Sequence, residues 1–267
     1  MRIKTKSMEK EVLFEKEKNI AIITFNRPQR YNAVNQDLVD GINDSLSIVE
    51  NDNDIRAVVL TGNGKGFCSG ADMSVFGGKV SSEQRRDYIV EQYQPLMNRF
   101  FKIKKPIIGA INGTAAGVGA AFALACDLRV MSKESALLYA FVNIGLGPDG
   151  GASWLLARQV GYSKALEIAI SGKKIFGEEC LNLGLTNKIV KTNEVLNDAK
   201  KWAHELSVRP TLAIGIAKAD MMYSMDNNLS DTIAFEAQEQ VAAFNSYDLK
   251  EGVTAFIQKR PAKFLGK

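Results

Sequence analysis

From Pro106 to Cys126 the chain carries no charged side chain: PIIGAINGTAAGVGAAFALAC. A stretch of that length must be hidden in a bilayer or in a protein core, and the choice decides the fold. Its length suits a membrane crossing. Its composition does not. It opens on Pro106, contains Asn112 and Thr114, and places Gly109, Gly113, Gly117 and Gly119 where a span would carry Leu or Ile. The segment reads instead as a buried strand (106–111), a tight loop and a buried helix too small and apolar to be exposed. The N-terminal MRIKTKSMEKEVLFEKEK has no apolar run after its charges, so it does not read as a secretory signal. A soluble, cytoplasmic protein with no membrane partner is the expectation.

The surrounding chain repeats this unit loosely. VLFEK (12–16) and NIAIITFN (19–26) predict a hairpin that Arg27-Pro28 ends. Leu38, Ile42, Leu46 and Val49 predict a helix from about Gln36, with Asn35 as its N-cap. RAVVLTG (56–62) predicts a buried strand before a glycine-rich loop, GNGKGFCSGAD (62–72), and a long helix from about Ser82 to Lys102. DLRVMS (127–132) and ALLYA (136–140) predict further strands, GLGPDGG (145–151) a loop, and SWLLARQVG the start of a helix. From Ser163 helices dominate, with one short strand at NKIV (187–190). Leu229, Ile233, Ala237, Val241 and Phe244 share one side of a late helix. Alternating strands and helices early in the chain predict a parallel-rich α/β core. No Gly/Ser- or Pro-rich linker divides the 267 residues.

Composition excludes several chemistries. A formal net charge of +4 is too small and dispersed to imply nucleic acid. The only histidine, His204 in WAHELSVRP, cannot supply a multi-histidine zinc site, and it reads as a solvated helix residue. A Ser-His-Asp triad would have to use it. No metal site is expected. Cys68, Cys126 and Cys180 are far apart and odd in number, which predicts free thiols in a reducing compartment.

Two glycine loops remain as candidate sites: Gly66-Phe67-Cys68-Ser69-Gly70-Ala71-Asp72, and Asn112 to Ala121. Each follows a buried strand, and the second opens a helix whose first N–H groups lack intrahelical partners. Side by side, such loops could aim two backbone N–H groups at one carbonyl oxygen. They could equally serve close helix–strand packing. GVGAAFA also approximates the dinucleotide pattern GxGxxG, although Phe122 occupies the third glycine position. Spacing alone leaves the loops undecided.

The sequence resembles the crotonase superfamily, also called the enoyl-CoA hydratase/isomerase family, from about Val12 to Lys267. The resemblance rests on FNRPQRYNAV (25–34), TGNGKGFCSGAD (61–72), KKPIIGAINGTAAGVGAAFALACDLRV (104–130), IGLGPDGGASWLLARQVG (144–161) and EGVTAFIQKRPAKF (251–264), in that order. It implies the crotonase spiral of repeated ββα units over residues 8–200, with a helical region at 201–267 that completes the pocket and makes trimer contacts. It implies an acyl-CoA thioester as substrate, with no separate cofactor because CoA enters as part of that substrate. It implies a homotrimer or a hexamer built from two trimers, and a place in fatty acid or lipid metabolism.

Carried over residue by residue, the resemblance places the two enolate-holding N–H groups at Ala71 and at Val118, which follows Gly117. Ser69, Ala71, Asp72 and Met73 fall where the family's loop holds the CoA adenine. Arg30 falls near the CoA phosphates, or is a solvated loop arginine. Asp72 reads as a tie for its loop, and Asp127 as a brace at a helix–strand junction. The two hydratase glutamates correspond to Ala121 and Phe141, so neither carboxylate is present. Asp149 in GPDGG stands where the family's isomerases often keep one acid. Locally it could equally be an N-cap or turn aspartate after proline. Within the resemblance it becomes the base that moves a proton from C2 to C4 of a 3-enoyl-CoA. Tyr139 and Phe141 would keep it dry and raise its pKa. The resembling isomerases include 3,2-enoyl-CoA isomerases and the ring-epoxide acyl-CoA isomerase of the phenylacetate pathway. The alternatives are a hydratase-like lyase, a ring-epoxide isomerase acting on an aromatic acyl-CoA, and a non-catalytic protein binding acyl-CoA or RNA. In the last case Lys-rich residues 1–18 would be an interaction arm instead of a solvated terminus. The segment 74–95, with Phe76, Tyr88 and Tyr93, is expected to close the pocket.

Overall fold

The computed structural model describes residues 10–73 and 80–267. The chain opens with an antiparallel hairpin of β1 (Val12–Glu17) and β2 (Ile20–Phe25), with Val12 opposite Phe25 and Glu17 opposite Ile20. Strand β1 thus begins inside the expected 1–18 arm, of which residues 1–9 lie outside the described residues. Helix α1 (Gln36–Asn51) starts at the expected cap: Asn35 accepts a 3.0 Å hydrogen bond from the Leu38 N–H. Its buried face is Leu38, Val39, Ile42, Leu46 and Val49, the stripe that the helical spacing predicted.

Three ββα turns follow. The first is β3 (Ala57–Gly62), β4 (Gly66–Cys68) and the helical pair α2 (Ser82–Tyr88) and α3 (Gln94–Lys102). The second is β5 (Ile107–Ile111), β6 (Thr114–Ala116) and α4 (Val118–Ala125). The third is β7 (Leu128–Ser132), β8 (Ala136–Leu138) and α5 (Ala152–Val160). Then come α6 (Tyr162–Ser171), β9 (Lys174–Phe176), α7 (Gly177–Asn182) and β10 (Lys188–Val190).

Among the described residues, the first strand of each turn joins a six-stranded sheet, order β1-β2-β3-β5-β7-β10, parallel from β2 onward. The second strand of each turn joins a four-stranded sheet, order β4-β6-β8-β9. Its three inner members are parallel, and β9 closes it antiparallel. The uncharged segment is therefore β5, β6 and α4, one full turn of the spiral, with all of β5 and all eight residues of α4 buried. No helix among the described residues is long and apolar enough to cross a membrane.

Two expectations change here. The glycine loops are not loops throughout, since β4 and β6 lie inside them. Strands of three residues are too short to show an alternating pattern, and they exist because each turn pairs with the next. The helix expected over 82–102 is interrupted by a π turn at Ile89–Tyr93, where the Gln94 N–H bonds the carbonyl of Ile89 five residues back. Pro95 has no N–H with which to continue the ordinary ladder at this point.

Helix α8 (Val195–Ser207) lies across the large sheet, burying Val195, Ala199 and Ala203 against Ile20, Val59 and Ile108. The expected division at 200/201 thus falls inside a core helix. The helices outside the core begin with α9 (Thr211–Ser224), followed by α10 (Leu229–Phe244) and α11 (Tyr247–Ile257). His204 on α8 is not simply solvated, because its Nε2 lies 3.0 Å from Glu17 Oε1. Cys68, Cys126 and Cys180 are buried free thiols.

Candidate active site

The spiral brings the ends of its second strands to one edge, so loops distant in sequence become neighbours. The first loop leaves β4. Its backbone is strapped to the segment after β2 by Ser69 N–H to Tyr31 O (2.9 Å), Val34 N–H to Gly70 O (2.8 Å) and Asp72 N–H to Val34 O (2.9 Å). The Ser69 hydroxyl donates to the Arg30 carbonyl at 3.2 Å. Arg30 and Ser69 are thereby brought together, although the Arg30 side chain is solvent-exposed. Met73 is exposed at the loop's end.

Asp72 ties this loop, as its position suggested. Its Oδ2 receives Arg27 Nη1 at 2.9 Å, and Arg27 Nε reaches Glu11 Oε1 at 3.2 Å. Arg27 was not singled out from the sequence. It lies inside FNRPQRYNAV, but its partners come from two other stretches of chain, and only the fold unites them.

The second loop leaves β6. Gly117 has φ 54° and ψ −128°, a conformation that side chains disfavour, and its N–H bonds the Leu138 carbonyl at 2.9 Å. The chain then enters α4 at Val118, which is 2% exposed. The two loops touch at their glycines. A Cβ on Gly70 would lie 2.9 Å from the Ala116 carbonyl oxygen and 3.6 Å from Gly117 Cα. The N–H groups of Ala71 and Val118 flank this contact, and neither donates to an acceptor among the described residues.

The third loop leaves β8. A 3-10 turn at Ala140–Ile144 buries Phe141, whose ring would meet a Cβ on Gly117 at 3.9 Å. Tyr139 is buried beside it and donates to the Ala152 carbonyl at 3.1 Å. Asp149 follows. It is not the N-cap of α5, a position held by Gly151. Its carboxylate has no hydrogen-bond partner among the described residues, and burial pushes its pKa up to about 6. Gly150 presses the same region against the second loop, since a Cβ there would lie 2.7 Å from Val118 Cγ2 and 3.7 Å from the Tyr93 ring.

The segments that carry Ala71, Gly117, Val118, Phe141 and Asp149 thus lie against one another, while Ala121 is fully buried in α4. Asp127, by contrast, is held by the Ile107 N–H (2.8 Å) and by Lys218 Nζ (2.9 Å). It braces the core against α9. Of the expected lid, Tyr88 and Tyr93 pack edge to face with ring centroids 5.3 Å apart, and Phe76 lies outside the described residues.

Three kinds of comparison agree with this architecture. Residues 15–267 match the family model described as enoyl-CoA hydratase/isomerase. A 1,2-epoxyphenylacetyl-CoA isomerase of Escherichia coli is 34% identical over 258 residues, covering 96% of this chain and 98% of that protein. A short-chain-enoyl-CoA hydratase of Clostridium acetobutylicum is 33% identical over 250 residues, covering 93% and 95%. The crystal structure of an enoyl-CoA hydratase from Bacillus anthracis superposes with a TM-score of 0.91 at 26% identity, covering 96% of this chain and all of that one. The chain belongs to the enoyl-CoA hydratase/isomerase family and has the crotonase fold.

Proposed function

We propose that this enzyme is an acyl-CoA isomerase that shifts a double bond from the 3- to the 2-position with Asp149 as its single proton carrier. The observation that carries this reading is the acid content of the converged loops. Ala121 and Phe141 fill the positions that correspond to the hydratase glutamates, and Asp149 remains with no partner and a pKa of about 6. An acid poised there can take a proton near neutral pH and return it.

In this mechanism the thioester oxygen accepts hydrogen bonds from the N–H groups of Ala71 and Val118. The Asp149 carboxylate removes a proton from C2, and the C–H electron pair moves toward the carbonyl to give a dienolate. The protonated acid then delivers the proton to C4 and the double bond settles between C2 and C3. Losing one well-aimed donor in such a site costs about 3 kcal/mol of barrier. Ser69, Ala71, Asp72, Met73 and Arg30 would hold the CoA portion along the strapped loop, and no further cofactor or metal takes part. The α10 face of Leu229, Ile233, Val241 and Phe244 is exposed in the single chain. In this reading other copies cover it in a trimer or hexamer, which sedimentation would detect.

The test is to supply a 3-enoyl-CoA and a 2-enoyl-CoA separately. Conversion of the first without hydration of the second is expected. Hydration of the 2-enoyl-CoA at the rate of a good hydratase would overturn the assignment. Isomerisation of an aromatic ring-epoxide thioester is the second reading. It is favoured by the likeness to the Escherichia coli enzyme over 96% of the chain, and it uses the same base.

A further inference from the structure

A cavity of about 430 Å³ opens between α3, the start of α5 and α9. Its walls include Tyr93, Phe101, Gly150, Gly151, Trp154 and Met222. Phe101 and Trp154 stand 5.6 Å apart between ring centroids, so an aromatic corner forms one side. Gly150 is the residue after Asp149, so the cavity begins beside the proposed base. It has the mainly apolar lining expected of a small-molecule pocket.

Tyr93 is one of the polar residues of this wall. It is the last residue of the π turn, is 4% exposed, and packs edge to face on Phe122 and Tyr88. Its hydroxyl has no hydrogen-bond partner among the described residues. The fully enclosed unpartnered side-chain atoms there belong to Glu11, Arg158 and Asp220. The Tyr93 hydroxyl is not among them, and Tyr93 forms part of the cavity wall. Burial, with the nearby charges of Tyr88 and Asp149 adding to it, raises the phenol pKa, so the group remains a donor throughout the neutral range.

A hydroxyl facing an empty cavity is satisfied there by water. A purely hydrocarbon tail would displace that water and offer no acceptor, which leaves a buried donor unpaired. We propose that the Tyr93 hydroxyl faces this cavity and makes it selective for acyl groups whose tail carries an oxygen acceptor beyond the reacting carbons. The substrate class becomes an oxygenated acyl-CoA instead of a plain fatty acyl-CoA. The inference rests on the acyl-CoA reading of the site but not on the proton shift. Gln94 and Asn98 at the exposed side of α3, and the indole N–H of Trp154, are the other side-chain donors of the lining.

The test uses binding alone, so a failed isomerase assignment would not affect it. Octanoyl-CoA is compared with its 4-, 5-, 6- and 7-oxo derivatives by calorimetry, on the wild type and on Tyr93→Phe. At least one oxo derivative is expected to bind the wild type about tenfold or more tightly than octanoyl-CoA. In Tyr93→Phe that advantage should disappear, with octanoyl-CoA held at least as well as before. Equal binding of all five thioesters by the wild type would overturn the proposal, without needing the variant. A preference that survives in Tyr93→Phe would also overturn it, because Gln94, Asn98 or Trp154 would then be the donor. Failure of the wild type to bind any CoA thioester would remove the acyl-CoA reading itself.

Discussion

Asp127 and Asp149 are both half-buried carboxyls, and burial lifts both above the ordinary aspartate range. The first is answered at its Oδ2 by a backbone N–H and by the Lys218 ammonium, which also reaches the Phe100 carbonyl. The second has burial and no partner. An acid paired in this way holds elements together, because moving its proton would break the pairing. An acid that is buried and unpaired is destabilising where it stands, and its proton is available. The difference separates the brace from the proposed base more clearly than either shift does.

The comparison can be broken first at Asp149. Asp149→Asn should lower isomerase kcat about a thousandfold or more, read on a 3-enoyl-CoA. It should also raise stability by about 2 kcal/mol at pH 7, because the folded chain no longer carries a desolvated charge. Chemical denaturation would measure that gain. A loss of stability together with retained activity would make Asp149 a second brace.

Asp127→Ala should do the reverse. It leaves the Lys218 ammonium buried without its counter-charge, so unfolding free energy should drop by about 3 kcal/mol. The kcat of the folded fraction should change little. Pairing Asp127→Ala with Lys218→Met should recover most of that loss, which a double-mutant cycle would read.

Arg27→Leu falls between the two. It removes the cation shared by Asp72 and Glu11, and should cost about 2 kcal/mol of stability. It should also loosen the loop that carries the Ala71 N–H. A roughly tenfold lower kcat would separate that effect from a purely structural one.

The smallest effect is on pH. A base with a pKa of about 6 must be unprotonated, so kcat/KM should fall about tenfold for each unit below pH 6. For stability the sign is opposite. The folded-state pKa lies above the unfolded value, so the penalty of the Asp149 charge is present above pH 6. It fades as pH falls toward 4. The stability gap between the wild type and Asp149→Asn should close over that window.

Much of this was legible in the sequence because it is local. The α1 stripe and its Asn35 cap, the opening hairpin and the buried unit at 106–126 each declare themselves within a few residues. The short strands Gly66–Cys68 and Thr114–Ala116 did not, since their pairing partners lie a whole turn away. The π turn was hidden inside a helical pattern. For the site, the sequence offered Asp149 and the glycines. The touch between Gly70 and Gly117, the strap from Arg27 and the place of Tyr93 in the cavity wall are products of long-range closure, and no spacing encodes them.

The contact between Gly70 and Gly117 has a consequence for experiment. The proposed hydrogen-bond donors belong to the main chain, and one of them is already an alanine, Ala71. Replacing every residue with alanine in turn would therefore pass over the proposed hole and report only on its frame: Gly70, Gly117 and the Arg27 strap. The groups that touch the thioester oxygen would be missing from such a survey. Substitution of the peptide bond itself, as an ester in place of the amide at residue 71 or 118, is the perturbation that would reach them.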